Sequence, residues 1–139
     1  MKAVARRKVS GANRTLGFVH DVEIEGGHTI RIDEPPEAGG TDAGPRPTLL
    51  LAASLAACTA ITMEMYAERK GWDLGRVEVD ADVEYEGAVP ASFELTLRFP
   101  PGLSEDQLDR LRTIAGKCPV HRVVAQETPV TTAAEIETL

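Results

Sequence analysis

Aromatic residues are scarce, at 4% of 139, so the interior of this chain has to be built mainly from aliphatic side chains. Positive charge is also in short supply: 15 Lys and Arg against 22 Asp and Glu leave a net charge of −7. That balance argues against a nucleic-acid backbone or an anionic membrane surface as partner, because both repel an acidic protein. The start, MKAVARRKVSG, is basic but has no apolar segment behind it, so it does not read as a signal peptide and a cytoplasmic location is expected. Two cysteines are too few for a disulfide scaffold. In a reducing compartment such thiols are more often free, catalytic or redox-active than a permanent staple. There is no CxxC pair and no set of ligands at zinc spacing, so no metal and no bound cofactor is expected.

The chain is organised around Pro45 to Lys70, PRPTLLLAASLAACTAITMEMYAERK, which carries no charge from Leu49 to Met63. The run is rich in Ala and Leu and predicts a helix roughly 35 Å long. Pro45 and Pro47 suit a first turn, whose N–H groups have no partner within the helix, and Gly71 can take the left-handed conformation that ends it. A helix apolar nearly all round must be covered on most sides. A single domain of 139 residues does that with difficulty, which predicts a homo-oligomer. The charge-free stretch is shorter than the roughly 20 apolar residues that span a bilayer.

Strands are expected over Lys2–Ser10, Phe18–Ile24 and Thr29–Asp33, with Gly11–Arg14 as a turn and Gly26-Gly27 as a hairpin signal. Glu34 to Gly44 (EPPEAGGTDAG) is a long loop, either functional or a solvated connector. Beyond the helix, apolar residues alternate with acids from Val77 to Tyr85, and alternation returns from Phe93 to Phe99; together these make an antiparallel hairpin. Ser104 and Gln107 form a capping box for a helix with Leu108, Leu111, Ile114 and Ala115 on one side. Cys118-Pro119 opens a further short helix, and Val130–Ile136 reads as a final strand. The order of elements is that of an α+β fold with antiparallel sheet.

The thiols are the sharpest chemical feature. Cys58 lies in mid-helix among alanines and small hydroxyls, where a cysteine either packs as a small hydrophobe or reacts. Cys118 stands at a helix N-terminus, where free N–H groups and the helix dipole favour a thiolate, and His121 follows three residues later. Sequence spacing alone does not bring two residues 60 apart within disulfide reach. His20 and His28 sit on or beside strands and read as ordinary surface residues.

Two segments, GGTDAGPRPTLLLAASLAACTAITMEMYAERKGW and KCPVHRVV, resemble the OsmC/Ohr family of thiol proteins in order and spacing, and CPVHR is similar to its OsmC-like branch. The resemblance covers nearly the whole chain. It implies one OsmC-like domain over 1–139, and an intertwined α+β homodimer with antiparallel sheets and long central helices. It further implies that Cys58 attacks an organic hydroperoxide, that Cys118 resolves the resulting sulfenic acid as a disulfide, and that an external dithiol resets the pair. An arginine orients the peroxide in such enzymes. Arg14 is its nearest positional match, with Arg7, Arg31 and Arg46 as competitors. Where the family usually has an acid just after the helix-opening proline, this chain has Thr48 and Leu49.

The sequence therefore predicts a thiol-dependent peroxidase of organic hydroperoxides serving oxidative-stress defence. Its alternatives are a redox-sensing or apolar-ligand-binding protein of the same fold, or a structural dimer with inert thiols.

Overall fold

The computed structural model describes residues 1–7 and 17–136. The far end of the first predicted strand, the turn Gly11–Arg14 and Arg14 itself lie outside the described residues. The chain forms two compact units: Met1–Ser54 with Ala81–Leu95, and Leu55–Asp80 with Thr96–Leu139. One long helix and one hairpin run through both.

In the first unit, β1 (Ala3–Arg7), β2 (His20–Ile24) and β3 (His28–Ile32) make an antiparallel sheet in the order β1-β2-β3. Ala5 pairs with Val22, which pairs with Ile30. Because side chains alternate, this row shares a face with Ile24 and Ile32, while Arg6, Asp21, Glu23 and Arg31 share the other. On that polar face Arg31 grips Asp21 through Nε and Nη2, at 2.9 and 3.2 Å. Gly26 and Gly27, with φ of +106° and +87°, make the β2–β3 turn that L side chains resist. A short 3-10 turn, Pro36–Ala38, interrupts the loop that follows.

The central helix, α1, spans Pro47–Lys70. It ends in a Schellman motif: Gly71 at φ +70° donates to the Glu68 carbonyl, and Trp72 donates to that of Ala67. Only one stripe of α1 is buried, formed by Ala52, Leu55, Thr59, Met63 and Ala67 at helical spacing. The expectation that the helix would be covered on most sides is not met within one chain. Leu49, Leu51, Ile61 and Met65 keep 47%, 40%, 53% and 58% of their surface exposed. Having 24 residues, α1 is also long and apolar enough to cross a membrane by length and composition, which the count of charge-free residues understated.

The second unit holds the larger core. Met63 and Ala67 of α1 pack with Leu74 and with Leu111 and Ala115 of α2 (Glu105–Ala115). Half-buried Val79 of β4 (Glu78–Glu86) and Leu97 of β5 (Val89–Arg98) close over that cluster. These two strands form the two-stranded sheet, with the acids of β4 on its wet side, as the alternation predicts. The capping box is present: Ser104 accepts from the Gln107 amide while Gln107 accepts from the Ser104 amide. The last helix, α3, is Pro119–Val124.

The predicted strand Val130–Ile136 is not formed. Val130 and Ile136 are 86% and 103% exposed, and the segment pairs with no strand among the described residues. A stretch of strand-forming residues makes a strand only where a sheet edge accepts its backbone groups.

Candidate active site

Cys58 lies midway along α1 and is half-buried. Thr59, the next residue, is turned about 100° around the helix and belongs to the buried stripe. Cys118 comes from the N-terminus of α3 and has no exposed surface. Its backbone is extended (φ −61°, ψ 140°), so it caps α3, and its Sγ accepts from the His121 amide at 3.2 Å. The same sulfur lies 3.7 Å from Thr59 Oγ1. The fold thus carries Cys118 across the chain to the residue next to Cys58, and both thiols are free. Proline at the first position of α3 makes this arrangement possible: Pro119 has no N–H to satisfy, which leaves the next amides to face the capping sulfur.

The candidate arginines divide. Arg14 is outside the described residues. Arg7 is exposed on β1. Arg31 is committed to Asp21, whose hydrogen bonds and charge raise the guanidinium pKa further. Arg46, just before α1, places Nε 3.7 Å from Glu34 and its guanidinium carbon 5.9 Å from the centre of the Tyr85 ring. The Tyr85 hydroxyl in turn shares a 2.9 Å hydrogen bond with Thr48. Among the described residues, the carboxylate paired with Arg46 is that of Glu34, from the preceding loop.

That loop depends on a residue that sequence inspection passed over. Asp33 is 1% exposed and accepts five hydrogen bonds. Oδ1 takes the amides of Phe18 and Glu34 at 2.9 and 2.8 Å. Oδ2 takes the Thr41 amide and hydroxyl at 2.9 and 2.7 Å and the Ala43 amide at 3.2 Å. The Thr41 hydroxyl, helped by the amides, holds the Asp33 carboxyl far below the usual carboxylate range, although burial pushes the other way. The loop is thereby drawn so close that a Cβ on Gly40 would sit 1.7 Å from the Glu34 carbonyl oxygen, and only glycine fits. Glu34 to Gly44 is an ordered structure tied to one carboxylate rather than a loose connector. The available signal was an Asp ending a strand just before a Pro- and Gly-rich run containing threonine.

Beside this loop, in the first unit, is a cavity of about 460 Å³ whose lining includes Phe18, His20, Val22, Ile32 and Pro47. His20 is half-buried there with Nδ1 2.7 Å from the Phe18 carbonyl, and His28 is exposed. Among the described residues there is no cluster of three or more His, Cys, Asp or Glu able to hold a metal ion.

A family model described as OsmC-like protein matches residues 40–133, which hold α1, both thiols and the hairpin between them. The chain belongs to the OsmC-like protein family. Solved structures agree with the fold of this OsmC-like chain. An OsmC-like protein from Mycoplasma pneumoniae superposes with a TM-score of 0.70 at 17% identity, over 89% of this chain and 86% of the other. An organic hydroperoxide resistance protein from Legionella pneumophila gives 0.57 at 24% identity, over 89% of each. One from Elizabethkingia anophelis gives 0.58 at 21% identity, over 88% and 85%. No curated protein matches the chain. Identities this low speak for the fold alone, so the chemistry of this OsmC-like protein has to be argued from its own residues.

Proposed function

We propose that this OsmC-like protein is a thiol-dependent peroxidase that reduces organic hydroperoxides. The observation that carries the reading is the approach of the Cys118 sulfur to Thr59, the neighbour of Cys58. Half-buried Cys58 is the sulfur that an incoming substrate reaches, and Cys118 is the one held in reserve. The Cys58 thiolate attacks the outer oxygen of ROOH. The O–O bond breaks, the sulfur becomes a sulfenic acid, and the alkoxide leaves as ROH after taking a proton. Cys118 then displaces hydroxide from that sulfur, forming the disulfide and water. An external dithiol reduces the disulfide by exchange. No bound cofactor or metal enters this cycle. Arg14 is the residue assigned to orient the peroxide. The apolar atoms around Cys58 favour an alkyl tail over hydrogen peroxide.

The exposed face of α1 supports a homodimer. Ile61 and Met65 lie one turn apart, and Ala57 precedes them by another, opposite the buried stripe. A second copy offering the same face would cover them and shelter Cys58 from water. The acidic chain acts in the cytoplasm, with neither nucleic acid nor membrane as partner.

Turnover of cumene hydroperoxide with a dithiol donor tests the reading. Wild type consumes peroxide and Cys58→Ser does not; equal, negligible turnover by both would remove the peroxidase assignment. The cavity beside His20 favours a second reading, binding of an apolar ligand in the first unit, which would survive that outcome.

A further inference from the structure

Thr59 has no exposed surface, yet it places a hydroxyl in a stripe otherwise made of Ala52, Leu55, Met63 and Ala67. Its Oγ1 is 2.8 Å from the Leu55 carbonyl oxygen and 3.7 Å from Cys118 Sγ. A hydroxyl has one proton to donate and two lone pairs. It can donate to the carbonyl and accept the Cys118 S–H, or it can donate to the sulfur, but it cannot donate to both. The neutral thiol selects the first state. The thiolate has no proton to offer and is stabilised by donors, so it selects the second. Turning costs little, because the Leu55 carbonyl keeps the helical bond from the Thr59 amide. The His121 amide faces the sulfur in either state.

We propose that Thr59 is a positioning residue for Cys118, swinging its hydroxyl proton from the Leu55 carbonyl to the sulfur as the thiol ionises. The inference rests on the resolving role given to Cys118 above. In disulfide closure the Cys118 sulfur attacks the sulfenic sulfur of Cys58; the S–S bond forms, the S–O bond breaks, and hydroxide leaves with the proton that Cys118 gave up, as water. Cys118 is oxidised and the sulfenic sulfur reduced, with no further reactant. Thr59 supplies the donor that a fully buried sulfur lacks from solvent. The ionisable groups next to the pair in sequence are Cys58 on α1, Lys117 in the preceding turn, and His121 and the exposed Arg122 on α3.

The test uses the full chain carrying Cys58→Ser and no peroxide, so its result is independent of whether the protein turns over hydroperoxides. Ionisation of Cys118, the one thiol left in that chain, is followed by the ultraviolet absorbance of its thiolate across pH, with Thr59, Thr59→Ser and Thr59→Val compared; Lys117, His121 and Arg122 are common to all three. Loss of a hydrogen bond to a charged group moves the midpoint upward, and Thr59→Val is expected to hold about tenfold less thiolate near neutral pH with the same plateau at high pH. Thr59→Ser, which keeps the hydroxyl, is expected within about twofold of the parent. An unchanged midpoint in Thr59→Val, or an equal shift in Thr59→Ser, overturns the proposal. If circular dichroism shows that Thr59→Val is misfolded, the infrared S–H stretch of Cys118 in the Thr59 protein decides. A band lowered by bonding to oxygen supports the proposal, and a free S–H band overturns it.

Discussion

Ile61→Ala measures whether the bare side of α1 is an interface. Ile61 retains 53% of its surface in the single chain, so a partner can withdraw at most about half of the residue from water. Truncation to alanine removes three carbon atoms, each worth about 0.8 kcal/mol when fully buried. Half of that total is about 1.2 kcal/mol per protomer. In an isologous dimer the substitution occurs twice, giving about 2.5 kcal/mol, or a roughly 50- to 100-fold weaker dissociation constant. Sedimentation equilibrium over a dilution series of both proteins reads this directly. Circular dichroism should show an unchanged fold, since the atoms removed lie outside the buried stripe. If wild type is monomeric at micromolar concentration, or if Ile61→Ala dissociates at the same concentration as wild type, the interface reasoning is wrong.

Other outcomes follow from the two sites. Cys118→Ser should complete one turnover with organic hydroperoxide and then accumulate oxidised Cys58, read as added oxygen by mass spectrometry; an unmodified Cys58 would mean that the two thiols are not partners. Asp33→Asn keeps an acceptor for Phe18 and Glu34 but turns an NH₂ toward the amides of Thr41 and Ala43, leaving two donors unmet. A fall in melting temperature of about 10 °C is expected at neutral pH. Because the folded pKa of Asp33 is depressed, its contribution is complete above the unfolded value of about 3.9 and is lost as pH falls below it, so wild type and Asp33→Asn should converge in acid. A constant difference down to pH 2 would show that ionisation is not what ties the loop.

Local chemistry was readable from the chain. Ser104 and Gln107 cap α2 because the partners are three residues apart, and the Val77–Tyr85 alternation needs only one wet face. The N-cap position of Cys118 was readable for the same reason, through Pro119. What sequence hid depends on distance. Asp33 looks like any loop acid until amides from residue 18 and from residues eight and ten positions on converge on it. Thr59 and Cys118 are 59 positions apart, and nothing in either local pattern announces the contact. The uniform apolarity of α1 said that the helix needs cover without saying which half the chain itself provides. Val130–Ile136 has the composition of a strand, but composition does not supply the neighbouring edge.

The knot at Asp33 also makes this protein easier to interrogate. A carboxylate fixed in its charged form far below neutrality neither gains nor loses a proton anywhere near the range where thiols and imidazoles titrate. This tie on the loop leading into α1 therefore keeps its charge as buffers are changed from mildly acidic to alkaline. An inflection in reactivity across that span does not come from Asp33 releasing the loop.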